Sequence, residues 1–310
     1  MKKLSVWVIL VLIVPCFAQS APKRPKITAI DHVDFYTTSP AANQKLYATV
    51  LGLISAPPLE PGQKQRYKVG TQWVGYSSAP DAHSTNRLDH AAFRTEDAEA
   101  LRKYLAASGV KTPDAVTKWN DGTISIMVKD PEGNSIEFVQ PYQGTRVSIM
   151  QGPGPASTPD PVSRRMIHVG FVVHDRAAED RFYKDILGFR PYWYGGMHPE
   201  RTDWVALQVP DGSDWLEYML NMRPDADLRT VGVMNHISLG VKDMNAAQMK
   251  IESHGWTPSA TEHSQIGRDG KLQLNVFDPD LTRIELMEFR PVDKPCCSEF
   301  TAPHPSEDGQ

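Results

Sequence analysis

The chain has 310 residues, 40% of them hydrophobic and 23% charged, an ordinary globular composition with length enough for two domains. With 33 Lys and Arg against 37 Asp and Glu, its formal net charge is −4, which gives no electrostatic footprint for nucleic acid or an anionic membrane. Three cysteines are too few to frame a fold of this size, so the fold must rest on its core.

Lys2 and Lys3 precede an apolar run from Val6 to Phe17, and Ala18-Gln19-Ser20-Ala21 follows. This reads as a signal peptide over residues 1–20, cleaved after Ser20, so the expectation is an exported protein without a membrane anchor. Cys16 leaves with that segment. Cys296 and Cys297 remain, adjacent in a Pro-flanked tail, where they form a vicinal bridge, pair with another chain or stay free.

Ile27 to Tyr36 reads as a strand, and Ser39-Pro40 opens a helix that Leu51-Gly52-Leu53 closes. Short strands follow at 66–69 and 72–76. A second unit opens at Leu88-Asp89-His90, with a helix near 98–107 and strands near 124–128 and 135–139. Residues 143–163, rich in Gly, Pro and Ser, form a linker. A third unit starts at Met166-Ile167-His168, and its Phe182-Tyr183 to Leu187-Gly188-Phe189 resembles Leu46-Tyr47 to Leu51-Gly52-Leu53. Strands follow at 193–194, 204–209 and 215–220. A fourth unit starts at Met234-Asn235-His236, with a helix near 244–253 and strands at 271–277 and 283–289. The expected division is therefore one domain over 27–142, a second over 164–290, and a flexible tail over 291–310. Each domain holds two units of the pattern strand, helix, three strands, an α+β design of four βαβββ modules.

Every unit opens with a histidine in its first strand: His32, His90, His168 and His236. The phrase Asp130-Pro131-Glu132-Gly133-Asn134-Ser135-Ile136-Glu137 recurs as Asp278-Pro279-Asp280-Leu281-Thr282-Arg283-Ile284-Glu285, and more loosely as Pro210-Asp211-Gly212 to Glu217. A glutamate between apolar neighbours in a strand needs water, a cation or a metal. Two imidazoles and a carboxylate suit divalent Fe, Mn, Co, Ni or Zn. The spacing gives His168, His236 and Glu285 in one half, and His32, His90 and Glu137 in the other.

These modules, with a first-strand His and a last-strand Asp-Pro-x-Gly-Asn-x-x-Glu, resemble the vicinal oxygen chelate superfamily. That superfamily includes glyoxalase I, extradiol dioxygenases and bleomycin resistance proteins. The resemblance covers about residues 27–290 and implies that modules pair into two open β-barrels, each with a metal cup. His168, Glu217, His236 and Glu285 are similar to the glyoxalase I ligand set, which implies a main site in the C-terminal half. His32, His90 and Glu137 are then a second site or a retired duplicate. The implied activity is metal-dependent proton transfer (isomerase or lyase) on a small molecule with adjacent oxygens, with Glu217 or Glu285 as base. Ring-cleaving dioxygenation with Fe(II) is the alternative, although Asp269, Asn275 and Thr202-Asp203 stand where that family carries His, Tyr and His. His198 and His263 lie close enough in sequence to substitute. A non-enzymatic binder, with Trp193, Tyr194, Trp204 and Trp215 lining its cup, is the third reading.

Overall fold

A computed structural model describes residues 22–59, 62–142, 160–259 and 262–308. The expected signal peptide and residues 143–159 of the linker lie outside the described residues. Among those described, no helix is long and apolar enough to cross a membrane.

Two eight-stranded sheets, one per half, carry the fold. The first contains β1 (Ile27–Thr37), β2 (Ile54–Ala56), β3 (Gln63–Val69), β4 (Gln72–Ser78), β5 (Leu88–Thr95), β6 (Thr117–Lys118), β7 (Ile124–Lys129) and β8 (Ser135–Gln140). The second contains β9 (Met166–Val172), β10 (Arg190–Gly195), β11 (Trp204–Gln208), β12 (Trp215–Met219), β13 (His236–Val241), β14 (Gln265–Ile266), β15 (Leu272–Phe277) and β16 (Arg283–Glu288). Their orders, β2-β3-β4-β1-β5-β8-β7-β6 and β10-β11-β12-β9-β13-β16-β15-β14, are the same topology used twice. The α+β reading and the four βαβββ modules stand.

The first strand of each module lies at the centre of its sheet. It pairs parallel with the last strand of its own module and, through β1–β5 and β9–β13, antiparallel with its sister. Residues two apart on a strand share a face. The central pairing therefore gathers the first-strand histidines and last-strand glutamates of one sheet onto one side.

The helices are α1 (Pro40–Gln44), α2 (Ala98–Ala107), α3 (Arg176–Asp180), α4 (Leu228–Met234) and α5 (Met244–Ser253). Asp97, Asp175, Asp227 and Asp243 cap α2 to α5, each accepting a backbone N–H with its carboxylate. Helix α4 was not expected. Its signal was Asp227, three residues before Thr230, whose N–H it accepts.

Both α1 and α3 run on into a π-helical turn, Lys45–Val50 and Arg181–Ile186, that buries Tyr47 and Tyr183. Those tyrosines tie the halves together. Tyr183 Oη donates to Asp130 of the first half, while Tyr47 meets Tyr76, whose Oη donates to Asp278 of the second. The repeated Asp-Pro phrase thus builds a turn that docks on the opposite half. The turn needs a left-handed fourth residue. Gly133 supplies it at φ +89°, and Leu281 is held there at φ +66°. One hydrophobic core runs through both halves.

The tail departs from expectation. It packs on β10 instead of lying loose. Phe300 rests on Tyr192 and Trp193, Ala302 packs against the same apolar cluster, Thr301 N–H donates to Tyr192 O, and Gln208 Nε2 donates to Pro303 O. Its Pro, Ser and Asp content hid one aromatic anchor with a ready apolar seat. Cys296 and Cys297 form a disulfide with each other.

Candidate metal centre

In the N-terminal cup, His32 Nε2 lies 2.9 Å from His90 Nε2. Glu137 Oε2 is 3.1 Å from the first and 3.7 Å from the second. His90 and Glu137 are each only 2% exposed. Donors held about 2.1 Å from one ion at right angles stand about 3 Å apart, so these three atoms have the separations of a shared coordination sphere.

The carboxylates behind the rings sharpen this. Asp31 Oδ1 is 2.9 Å from His32 Nδ1, and Asp89 Oδ2 is 3.7 Å from His90 Nδ1. A carboxylate accepts only, so the His32 proton belongs on Nδ1 and its lone pair on Nε2, while the Asp89 charge at 3.7 Å favours the same tautomer in His90. Burial raises Asp31, but His32 and Arg94 outweigh it and hold that carboxyl below its ordinary range. Burial likewise raises Asp89, and His90 and Tyr36 hold it down. Two lone pairs then face each other at 2.9 Å beside a carboxylate oxygen, Glu137 Oε2, that has no hydrogen-bond partner. A cation between them resolves that repulsion, so the residues present fit a divalent ion.

Strand pairing places the two aspartates. The β1–β5 register passes from Ile30↔Phe93 to His32↔Ala92, and from Asp34↔His90 to Phe35↔Leu88. Asp31 and Asp89 are thus the extra residues of two β-bulges, which turn each side chain toward the histidine beside it. The sequence reasoning missed both, although the Asp-His pair occurs in both N-terminal modules and in neither C-terminal one.

A cavity of about 270 Å³ opens over this set, lined among others by Arg66, Trp73, Arg94, Trp119 and Tyr142. The Arg66 guanidinium lies 4.1 Å over the Trp73 ring, and Arg94 is held by Asp31 and by Thr71 O.

The C-terminal cup also brings its four expected residues together. His168 Nε2 is 2.9 Å from His236 Nε2, 3.4 Å from Glu285 Oε2 and 3.8 Å from Glu217 Oε2. Glu217 Oε2 is 3.4 Å from His236 Nε2. Gly170 makes room for this: a Cβ there would meet the His236 ring at 2.1 Å.

Two cations share the cup. Arg283 Nη2 is 2.7 Å from His236 Nε2, and its Nη1 is 3.5 Å from Glu285 Oε1. Lys271, wholly buried, holds its ammonium 4.4 Å from the Trp215 ring centroid. Burial, with Arg283 beside it, pushes His236 down to about 3. Burial pushes Glu217 up to about 7 and Lys271 down to about 8. The cavity here is smaller, about 100 Å³, and Phe300 of the tail forms part of its wall.

Of the aromatics expected in the cup, Trp193, Trp204 and Trp215 line this cavity, while Tyr194 is exposed. Asp269 lines it as well. Asn275 pairs with Glu285 across β15 and β16. His198 and His263 are exposed and line neither cavity. Spacing did not reveal that Arg283, two residues before Glu285, shares its face.

Residues 29–138 match a family model described as the glyoxalase/bleomycin resistance protein/dioxygenase superfamily, and residues 167–274 match a second model of the same description. Among solved structures, homoprotocatechuate 2,3-dioxygenase of Brevibacterium fuscum superposes with a TM-score of 0.62 at 20% identity, over 87% of this chain and 73% of that one. The 2,3-dioxygenase LapB of Pseudomonas sp. KL28 superposes at 0.61 and 15% identity, over 88% and 99% of the two chains. At these identities the likeness is one of fold. Among curated proteins, none matches the chain.

Proposed function

Because the chain belongs to the glyoxalase/bleomycin resistance protein/dioxygenase superfamily, we propose that it is a divalent-metal enzyme acting on a small molecule with two adjacent oxygens, and that His32, His90 and Glu137 hold the ion. The observation that carries this is the pair of ring nitrogens 2.9 Å apart, each backed by an aspartate that leaves its lone pair facing the other. This moves the main site from the C-terminal half to the N-terminal one.

What such an ion supplies is Lewis acidity toward two substrate oxygens or, for Fe(II), a redox partner for O2. The protein's own part is positional. Asp31 fixes the His32 tautomer and Asp89 favours the matching one in His90, while Trp73, Trp119, Tyr142 and Arg66 line the cavity.

We place oxygen-dependent ring cleavage of a catechol-type substrate ahead of proton transfer. Proton transfer drew on a fourth carboxylate beside the ion. In the N-terminal sheet Gly75, beside Asp34, takes the place that Glu217, beside Gly170, has in the other, and a Cβ at Gly75 would strike Asp34 and Gln63. The carboxylate in that space is Asp34, held by Gln63 Nε2 and outside the cluster, so two histidines and one glutamate remain as the ligand set, the donors of non-haem Fe(II) oxygenases. The dioxygenase neighbours lend support at the level of fold. Export, read from Lys2, Lys3 and the apolar run after them, is part of the same proposal.

The test is an oxygen electrode with the Fe(II)-loaded protein and a panel of catechols, with and without a carboxylate substituent. Oxygen uptake with formation of a ring-opened product supports the reading. Exchange of a carbon-bound proton in α-hydroxycarbonyl compounds without oxygen uptake would put proton transfer first again. A protein that takes up no metal would overturn both.

A further inference from the structure

The two cups carry the same His and Glu frame but differ at each residue that decides whether a cation is needed. Behind the first histidine, the bulged position that is Asp31 in β1 is Ile167 in β9, where the register passes from Ser238↔His168 to Leu239↔Met166. His168 Nδ1 is accordingly buried without a hydrogen-bond partner. Before the second histidine, Asp89 is replaced by Asn235, whose side chain is spent on Val172 N–H and Asn86. In the repeated phrase, Ser135 is replaced by Arg283.

These changes act together. His236 Nδ1 lies 2.8 Å from Met234 O, so its Nε2 is an acceptor, and Arg283 Nη2 donates to it at 2.7 Å. With nothing accepting from Nδ1, His168 is free to carry its proton on Nε2, toward Glu285 Oε2 at 3.4 Å. Arg283 Nη1 faces the other oxygen of Glu285. His236 Nε2 and Glu285 then each face a donor, with Arg283 Nε and Lys271 Nζ left without acceptors, and the guanidinium supplies the positive charge that an ion would bring. This donor set does not fit a metal while Arg283 remains in place.

We propose that the C-terminal cup is a metal-free copy of the site, in which the Arg283 guanidinium stands where an ion would, so that the chain binds one divalent ion and not two. This rests on the N-terminal reading for the one ion that is bound. The claim about Arg283 is separable from it.

The experiment is equilibrium dialysis of the whole protein against Co2+ alone, with cobalt counted per chain. Wild type is expected to bind one equivalent. Arg283→Ser, which restores the residue of the N-terminal phrase, is expected to bind two, and Arg283→Gln, uncharged and shorter, gives the same readout should the serine variant fold poorly. Adding His236→Ala to either is expected to return the count to one. Two equivalents in wild type, one in both Arg283 variants, or a second ion that survives His236→Ala would overturn the inference. No cobalt in wild type with one equivalent in Arg283→Ser would instead sustain the inference and overturn the N-terminal reading.

Discussion

Asp31 would contact no metal, yet it decides which nitrogen of His32 can. Replacing it by Asn keeps the shape but lets the amide donate, so the imidazole proton no longer has a fixed place. Asp31→Asn is therefore expected to weaken metal binding about 10–100-fold, the usual effect of losing such a partner, with secondary structure unchanged by circular dichroism. An affinity equal to wild type in the same dialysis would remove Asp31 from the account. Glu179 shows a second residue-scale effect, away from both cups. Burial, with Asp130 close by, pushes its carboxyl up to about 8, and its Oε1 accepts the Glu132 N–H. The folded protein keeps that proton up to about pH 8, whereas the unfolded chain releases it near the ordinary glutamate value. The unfolded state binds fewer protons between those values, so this group's contribution to stability is full at low pH and lost as pH rises through that window. Glu179→Gln removes the dependence. Urea unfolding is expected to give similar stability for the two proteins at pH 4 and a more stable variant at pH 9, by on the order of 1–4 kcal/mol. A variant less stable than wild type at pH 9 would contradict this.

At the scale of elements, the tail is the part whose role is most easily tested. Phe300 stacks with Trp193 and lies 4.9 Å from the Tyr192 ring centroid, while Trp193 Nε1 donates to Cys296 O. Phe300 is half-buried, so Phe300→Ala is expected to cost about 1–3 kcal/mol, read as a lower midpoint in thermal unfolding. An unchanged midpoint would mean that the tail adds nothing to the fold. The tail was illegible in sequence because composition reports average polarity, while anchoring depends on one aromatic finding a seat on β10. The strands and module order were legible because alternation and the repeated Asp-Pro phrase are local signals. The histidines and glutamates were legible for the same reason, since recurrence at one place in four modules is visible without a structure. The β-bulges at Asp31 and Asp89 were not, because a bulge is a property of two strands in register. Arg283 was in plain view, but its approach to His236 depends on how β13 and β16 pair, which spacing alone does not reveal.

For the whole molecule, two sheets share one topology, and the core that joins them keeps both halves in one structure. Each half contributes the aspartate turn on which the other half's tyrosine docks, so neither sheet is a free-standing copy. Within that shared scaffold the two cups are free to diverge. The N-terminal cup keeps the aspartates that aim two imidazole lone pairs at one point. The C-terminal cup has Ile167 and Asn235 in their places, and Arg283 against His236. On this account the working centre is His32, His90 and Glu137, and the measurement that meets the claim most directly is metal content by elemental analysis after loading with Fe(II) under anaerobic conditions. Wild type, His90→Ala and His236→Ala would be compared side by side. One iron per chain is expected in wild type and in His236→Ala, and close to none in His90→Ala. Iron retained by His90→Ala and lost from His236→Ala would contradict it, and would return the centre to the C-terminal half.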